Sequence, residues 1–306
     1  MKNLILVVGS EGMVGSRFVE ISQRKNFLHL PKQIELDITN KSEIKAMLAS
    51  YNFSAVVNFA AYTDVAGAES QRGDKKADCW QINVEGVRNL SESIKPYKEK
   101  IHFIHISTDM VFPGSTDNPG PYSEGTEPET DSSLVTWYGF SKAEGERIVK
   151  EILGNSATIV RIIYPVRAQF EPKSDYIRKP LKLYDEEKLY PLFSDQKLSI
   201  SYIDDVCRAI DKIIIDNFKG IYHVSSDNLA TPHELISYTL KKVRKLEKDI
   251  ESATLDEFIV KTGSSPVRYP KFGGLMVDKT EKKLGMKFGS WQRIVDRLIA
   301  QGLGKS

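Results

Sequence analysis

Tyr138 and Lys142 stand four residues apart in "WYGFSKAEGE" (137–146). On a helix that spacing puts both side chains on one face, a turn apart. A phenol beside an ammonium is a proton donor with a charge that eases its ionisation. Spacing alone does not make the case, because Tyr184 with Lys188 and Tyr238 with Lys242 repeat it. Context separates the three pairs. "LYDEEKLYP" around Tyr184 reads as an acidic irregular stretch, and Tyr238 falls in mid-helix with no loop of hydroxyls before it. Tyr138 instead comes after a strand ending in "HISTDMVFPG", which delivers Ser107, Thr108 and Asp109 to the strand's carboxyl end. Open parallel sheets bind their ligands at that end. A hydroxyl to orient a carbonyl, a phenol to protonate the forming alkoxide and an ammonium to acidify that phenol suit carbonyl reduction. A free phenol has a pKa of ~10, and one unit corresponds to ~1.4 kcal/mol. A unit charge ~4 Å away at an effective dielectric of ~20 supplies ~4 kcal/mol. Lys142 is therefore expected to bring the Tyr138 donor close to neutrality.

Gly9, Gly12 and Gly15 form a second cluster, "GSEGMVGSRF", directly after an apolar run and leading into a helix. Residues without side chains let the backbone approach a pyrophosphate, whose charge then rests on the amides of the helix N-terminus. The spacing GxxGxxG is one residue longer at the front than the dinucleotide fingerprint. An acid at the end of the second strand would bind a ribose diol and disfavour a 2'-phosphate. The expected second strand, "NFLHL", is followed instead by Pro31 and Lys32, with Arg17 on the first helix. Those cations favour NADP(H) over NAD(H). Asp37 and Ile38 in "ELDIT" are placed to close over the adenine.

The elements that must position these residues follow from periodicity. Apolar runs at 3–8, 54–60, 101–107 and 156–163 read as buried strands, and amphipathic patterns near 12–24, 41–50, 77–95 and 138–153 read as helices. That alternation predicts an α/β fold, a Rossmann-type doubly wound parallel sheet, with a smaller C-terminal substrate domain. After Arg161, prolines at 165, 172, 180 and 191 break the pattern, and the chain reads as irregular to Asp195. "GIYHVSS" (220–226) looks like a returning strand, Thr231 with Pro232 signals a helix start, and 290–303 is amphipathic. The expected division is a cofactor domain over 1–160, with a returning segment near 198–226, and a substrate domain over 161–197 and 227–306.

Composition excludes several classes. The chain has 43 Lys and Arg against 41 Asp and Glu, a formal charge of +2, which leaves no strong field for nucleic acid or an anionic membrane. The run "KKVRKLEK" (241–248) reads as the wet face of a helix. "MKNLILVV" reaches glycine too soon for a secretory signal or a membrane span. Cys79 and Cys207 lack any CxxC partner, which suits a reducing compartment, so a cytoplasmic location is expected. His102 and His105 fall on opposite strand faces, His29, His223 and His233 are isolated, and no metal site is expected.

Together these motifs resemble the extended short-chain dehydrogenase/reductases, more narrowly the dTDP-4-dehydrorhamnose reductases. The likeness runs through "GSEGMVG", "ELDITN", "VVNFAAYTDVAGAE", "QINVEGVRNL", "HISTDMVFPG", "YSEGTEPE", "WYGFSKAEGE", "GIYHVSS" and the tail from "VRYP" to "KKLG". The resemblance implies Thr108, Tyr138 and Lys142 as the catalytic set, with Asp109 near the sugar, and Tyr164 and Gln196 are further candidate substrate contacts. It implies Gly12, Met13, Val14, Asp37, Ile38, Ala60, Ala61 and Tyr62 around the cofactor, with Gly9, Gly15 and Lys32 from the reading above. Asn83 in "INVEG" would help order sheet and site. The implied reaction passes a hydride from NADPH to C4 of a keto sugar held on its nucleotide. Ile162, Ile163 and Tyr164 stand where the rhamnose enzymes carry Thr-Ser-Trp, and "DQKLSIS" (195–201) keeps Asp195 and Gln196 but lacks the family's glycine and Pro-Thr. Both departures fall where substrate is chosen. The alternatives are an epimerase that keeps its cofactor bound and a non-catalytic NADP-binding regulatory subunit, with homodimerisation left open.

Overall fold

The computed structural model describes residues 3–305. Met1 and Lys2, which begin the apolar opening segment, lie outside the described residues. In chain order the elements are β1 (Leu4–Val8), α1 (Met13–Ile21), β2 (Leu28–His29), α2 (Lys41–Ser50), β3 (Phe53–Asn58), α3 (Val65–Ser70) and α4 (Asp78–Trp80). A π-helical turn, Gln81–Gly86, joins α4 to α5 (Val87–Ile94). Then come β4 (His102–Thr108), α6 (Trp137–Leu153), β5 (Ala157–Ile162), β6 (Pro165–Val166), α7 (Arg178–Asp185), β7 (Leu192–Phe193) and β8 (Ser201–Tyr202). The remainder is α8 (Ile203–Ile215), β9 (Gly220–Val224), α9 (Pro232–Arg244), β10 (Ser252–Ala253), α10 (Leu255–Thr262), α11 (Asp278–Leu284) and α12 (Trp291–Ala300).

The chain forms two compact units. The first takes the described chain through Phe112, then Glu127–Arg161 and Val206–Tyr222. A six-stranded sheet runs β2-β1-β3-β4-β5-β9, and the pairs β1–β2, β1–β3 and β3–β4 are parallel. All seven residues of β4 and all six of β5 are buried, as strands covered on both faces must be. Strand order reverses between β1 and β3, so the carboxyl ends of these strands open at a topological switch point. Leu6, Ile44, Val56, Leu90, Phe103 and Ile159 share one buried cluster. Cys79, Trp80, Trp137 and Ile148 form another, with the Trp80 and Trp137 rings stacked at 5.4 Å.

The second unit takes Pro113–Thr126, Ile162–Asp205 and the chain from His223 onward. Its core gathers Ile200, Tyr202, Leu235, Leu240, Ile294 and Leu298. α9 starts on a capping box between Thr231 and Glu234 with Pro232 in the first turn, as its sequence signals. The stretch read as irregular before Asp195 instead contains α7, so Tyr184 is helical. The Asp175 carboxylate starts that helix by accepting from the Ile177 and Arg178 amides at 3.0 and 2.8 Å. Two segments assigned by sequence to the first domain belong to the second unit. In 113–126, Gly120 N donates to Phe272 O at 2.7 Å and Tyr122 N to Gly274 O at 3.0 Å. In 198–205, Leu198 exchanges backbone bonds with Ala230, and β8 pairs with β6.

Candidate active site

β4 ends on Thr108, and α6 begins on Thr136, whose hydroxyl accepts from Gly139 N at 3.0 Å. Gly139 lets this helix rest on the turn after β4, because a Cβ there would lie 2.0 Å from the Met110 carbonyl oxygen. Tyr138 thus enters on the first turn of α6, with Lys142 one turn further along the same face. The Thr108 hydroxyl bears on the Tyr138 phenol and favours its ionised form. Thr108 Oγ1 also donates to Asp109 Oδ1 at 3.1 Å and accepts from Met110 N at 3.2 Å.

The electrostatics correct one expectation. The Tyr138 phenol is held above its ordinary range, first by burial and then by the Asp109 carboxylate, while the Thr108 hydroxyl acts the other way. Lys142 does not bring it near neutrality. Lys142 is 2 % exposed, and its ammonium donates to Ile106 O at 2.8 Å and lies 3.4 Å from His105 Nε2. Burial lowers Lys142 to about 8, with Glu146 opposing. Asp109 rises to about 7, chiefly by burial.

Two side-chain relays tie the loop after β3 to this pair. Asn58 Oδ1 accepts from Ala60 N at 3.1 Å, and its amide nitrogen sits 3.3 Å from His105 Nδ1, whose ring borders Lys142. Asn83, inside the π-helical turn, accepts from Tyr62 N at 2.9 Å and donates to Tyr62 O at 3.1 Å and Ser141 Oγ at 3.0 Å. Ser141 Oγ then donates to Tyr138 O at 2.8 Å. Ala60, Ala61 and Tyr62 are partly buried on this loop. His105 is the residue that sequence reasoning set aside; its one signal was its place in the strand that carries Thr108. His105 is held neutral by burial and by Lys142.

The turn from β1 to α1 brings backbone close to backbone, as a pyrophosphate cradle requires. Gly9 has φ 75°, and a Cβ there would lie 2.5 Å from Ala60 N, while one at Gly15 would lie 2.3 Å from Gly9 O. Gly12 differs, since its Cβ would meet only Gly9 O at 3.5 Å, an ordinary contact. α1 starts at Gly12 with no side-chain cap and no acid in its first turn, where Met13 and Val14 are partly buried. Its first amides and the positive end of its dipole therefore suit an anion, and the residues fit a dinucleotide. Ile38 is buried against Gly86, and Asp37 Oδ1 accepts from Thr39 N at 2.8 Å. Lys32 is exposed, its own amide donating to Glu35 Oε2 at 2.7 Å, and Arg17 pairs with Glu20 at 2.8 Å.

Tyr164 and Gln196 belong to the second unit. Tyr164 has φ 37°, and its ring centroid lies 4.2 Å from that of Tyr176. Gln196 is buried and donates its amide to Pro270 O at 2.8 Å. The other Tyr–Lys pairs are held differently, with Lys188 on Glu186 at 3.2 Å and Lys242 on Asp296 at 3.4 Å. Among the described residues no group of three or more His, Cys, Asp or Glu side chains could hold a metal ion.

Comparison with known proteins places the chain in a family. A dTDP-4-dehydrorhamnose reductase of Aggregatibacter actinomycetemcomitans is 27 % identical over 308 residues, covering 97 % of this chain and 98 % of that protein. A probable low-salt glycan biosynthesis reductase of Haloferax volcanii is 28 % identical over 253 residues, 82 % of this chain and 78 % of that protein. The crystal structure of dTDP-4-dehydrorhamnose reductase from Bacillus anthracis in complex with NADP superposes with a TM-score of 0.81 at 23 % identity, covering 98 % of this chain and 100 % of that one. The family described as RmlD substrate binding domain matches residues 1–303, and the chain belongs to it.

Proposed function

We infer that the protein is an NADPH-dependent reductase of a dTDP-linked 4-keto sugar. The observation that carries this reading is the seating of the first turn of α6 on the turn after β4, which sets Tyr138 beside Thr108 at the carboxyl end of β4 with Lys142 one turn behind. NADPH, when bound, supplies the hydride. Thr108 and Tyr138 hold the carbonyl oxygen, and Tyr138 gives its proton to the alkoxide oxygen that forms. A suppressed phenol acidity does not block that step. The conjugate acid of an alkoxide is about as weak as water, pKa about 15.7, so the transfer runs downhill. Lys142, as an ammonium, favours the phenolate left behind. The catalytic roles of Thr108, Tyr138 and Lys142, and substrate contacts from Asp109, Tyr164 and Gln196, belong to this proposal.

The dTDP carrier is supported by the names of the relatives. Preference for NADPH over NADH is supported by Arg17 and Lys32 near the β1–β2 region and by the cofactor in the Bacillus anthracis structure. Cys79 and Cys207, both buried and outside any disulfide, suit the cytoplasm, and among the described residues no helix is long and apolar enough to cross a membrane. The test mixes the protein with NADPH or NADH and a panel of dTDP-, GDP-, UDP- and CDP-ketosugars, following the nicotinamide absorbance. Oxidation of NADPH with a dTDP-ketosugar is expected. No oxidation across the panel, in protein that binds NADPH, would overturn the reading.

A further inference from the structure

α6 carries a third polar residue on the face of Tyr138 and Lys142. Glu146 lies one turn beyond Lys142, and its side chain has no solvent exposure. Arg161, at the end of β5, grips it with two bonds, Nε to Oε1 at 2.9 Å and Nη2 to Oε2 at 2.7 Å. The Arg161 guanidinium is itself fully buried and lies 5.0 Å from the centre of the Phe112 ring. A buried ion pair of this kind adds little stability over apolar side chains of the same volume, because desolvating two charges offsets their attraction. Its place in the molecule therefore calls for another reason.

Lys142 supplies one. We propose that Glu146 is a positioning residue that keeps Lys142 an ammonium docked on the Ile106 carbonyl, with Arg161 fixing the carboxylate in place. The groups facing Lys142 are His105 of β4, Cys79 of α4 and Glu146 on its own helix. His105 is held neutral, and burial holds the Cys79 thiol protonated. Asp109, after β4, bears on Tyr138. On the other elements against α6, Glu69 of α3 is engaged by Trp137 N and Arg72, and Glu85 of the π-helical turn by Arg88. Glu146 thus supplies the negative charge that opposes the burial of Lys142. The consequence deepens the proposed function and rests on it only in assigning Lys142 a use.

The test reads the ionisation of Lys142 without turnover. In ligand-free protein carrying 13C-labelled lysine, NMR follows the Lys142 side chain against pH, the signal being assigned by its loss in Lys142→Met. The wild-type midpoint is expected near about 8. Glu146→Gln should move it down by about one unit, and Glu146→Asp should keep it in place. In active protein the alkaline limb of kcat should move by the same amount as the midpoint. A purely structural Glu146 would lower the melting temperature and leave the midpoint where it was, and that result in folded E146Q overturns the proposal. Should E146Q unfold, the volume-matched E146Q/R161M carries the same titration, and an unmoved midpoint there overturns it equally. A protein without ketosugar turnover would still give this titration, so the two readings fail separately.

Discussion

Burial acts on Tyr138 and Lys142 in opposite directions of proton affinity, because in each it favours the neutral form. The phenol holds its proton more tightly and the amine holds its proton less tightly. The Tyr138 phenol then keeps its proton across the neutral range, and the group beside it that titrates is Lys142. Turnover is expected to fall as pH rises through about 8, where the ammonium is lost, and a pH profile of kcat checks it. The same group moves stability the other way. Between about 8 in the fold and ~10.4 in the unfolded chain, the unfolded state binds more protons, so this contribution to stability rises with pH. A joint decline of activity and urea midpoint above pH ~8 would show that something other than Lys142 is titrating. Thr108→Val should lower kcat while leaving NADPH affinity intact, as measured by nicotinamide fluorescence, since Thr108 lies at the carbonyl end and not in the glycine turn.

At the scale of elements, the site is the junction of β4, α6 and the loop after β3. Gly139→Ala drives a methyl into the Met110 carbonyl and should destabilise the fold by about 1–3 kcal/mol, read from the urea midpoint. Gly12→Ala is the contrast, because its packing tolerates a Cβ. It should leave the urea midpoint near wild type and weaken NADPH binding; equal affinity for NADPH would argue against the α1 N-terminus as the pyrophosphate site. Much of this junction was legible in sequence. The apolar run before Gly9, the "HIST" strand end and the Tyr–Lys helix each follow a period that physics ties to one structure. What a side chain reaches across the fold was not legible. Spacing puts Lys142 on the face of Tyr138, but it cannot say that the ammonium docks on Ile106 O and His105. Strand alternation told which faces His102 and His105 take, not that one meets Thr158 and the other Lys142. α7 was hidden because its start depends on the Asp175 carboxylate folding back on two amides amid prolines.

For the whole molecule, buried neutral histidines set the acid limit. Burial lowers His102 to about 3 and His105 well below its ordinary value. Below ~6.5 the unfolded chain takes up protons that the fold refuses, so stability is full above that pH and falls as pH drops toward the folded values. Asp109, raised to about 7, takes up a proton in the fold over the same window and offsets part of this, but two rings outweigh one carboxyl. Urea midpoints should therefore still fall between pH ~7.5 and ~5.5, and a midpoint that rises there would show that these rings protonate in the fold. The alternation of strands and helices made the parallel sheet legible from sequence. The assignment of 113–126 and 198–205 was not, because their backbone bonds run to Phe272, Gly274 and Ala230, far away in the chain. The central claim is that Tyr138 delivers the proton in ketosugar reduction, and its most direct test compares Tyr138→Phe with the wild type for NADPH oxidation on a dTDP-4-keto sugar. Loss of about 10²–10⁴ in kcat with unchanged NADPH affinity is the predicted result; turnover within a few-fold of wild type would contradict it.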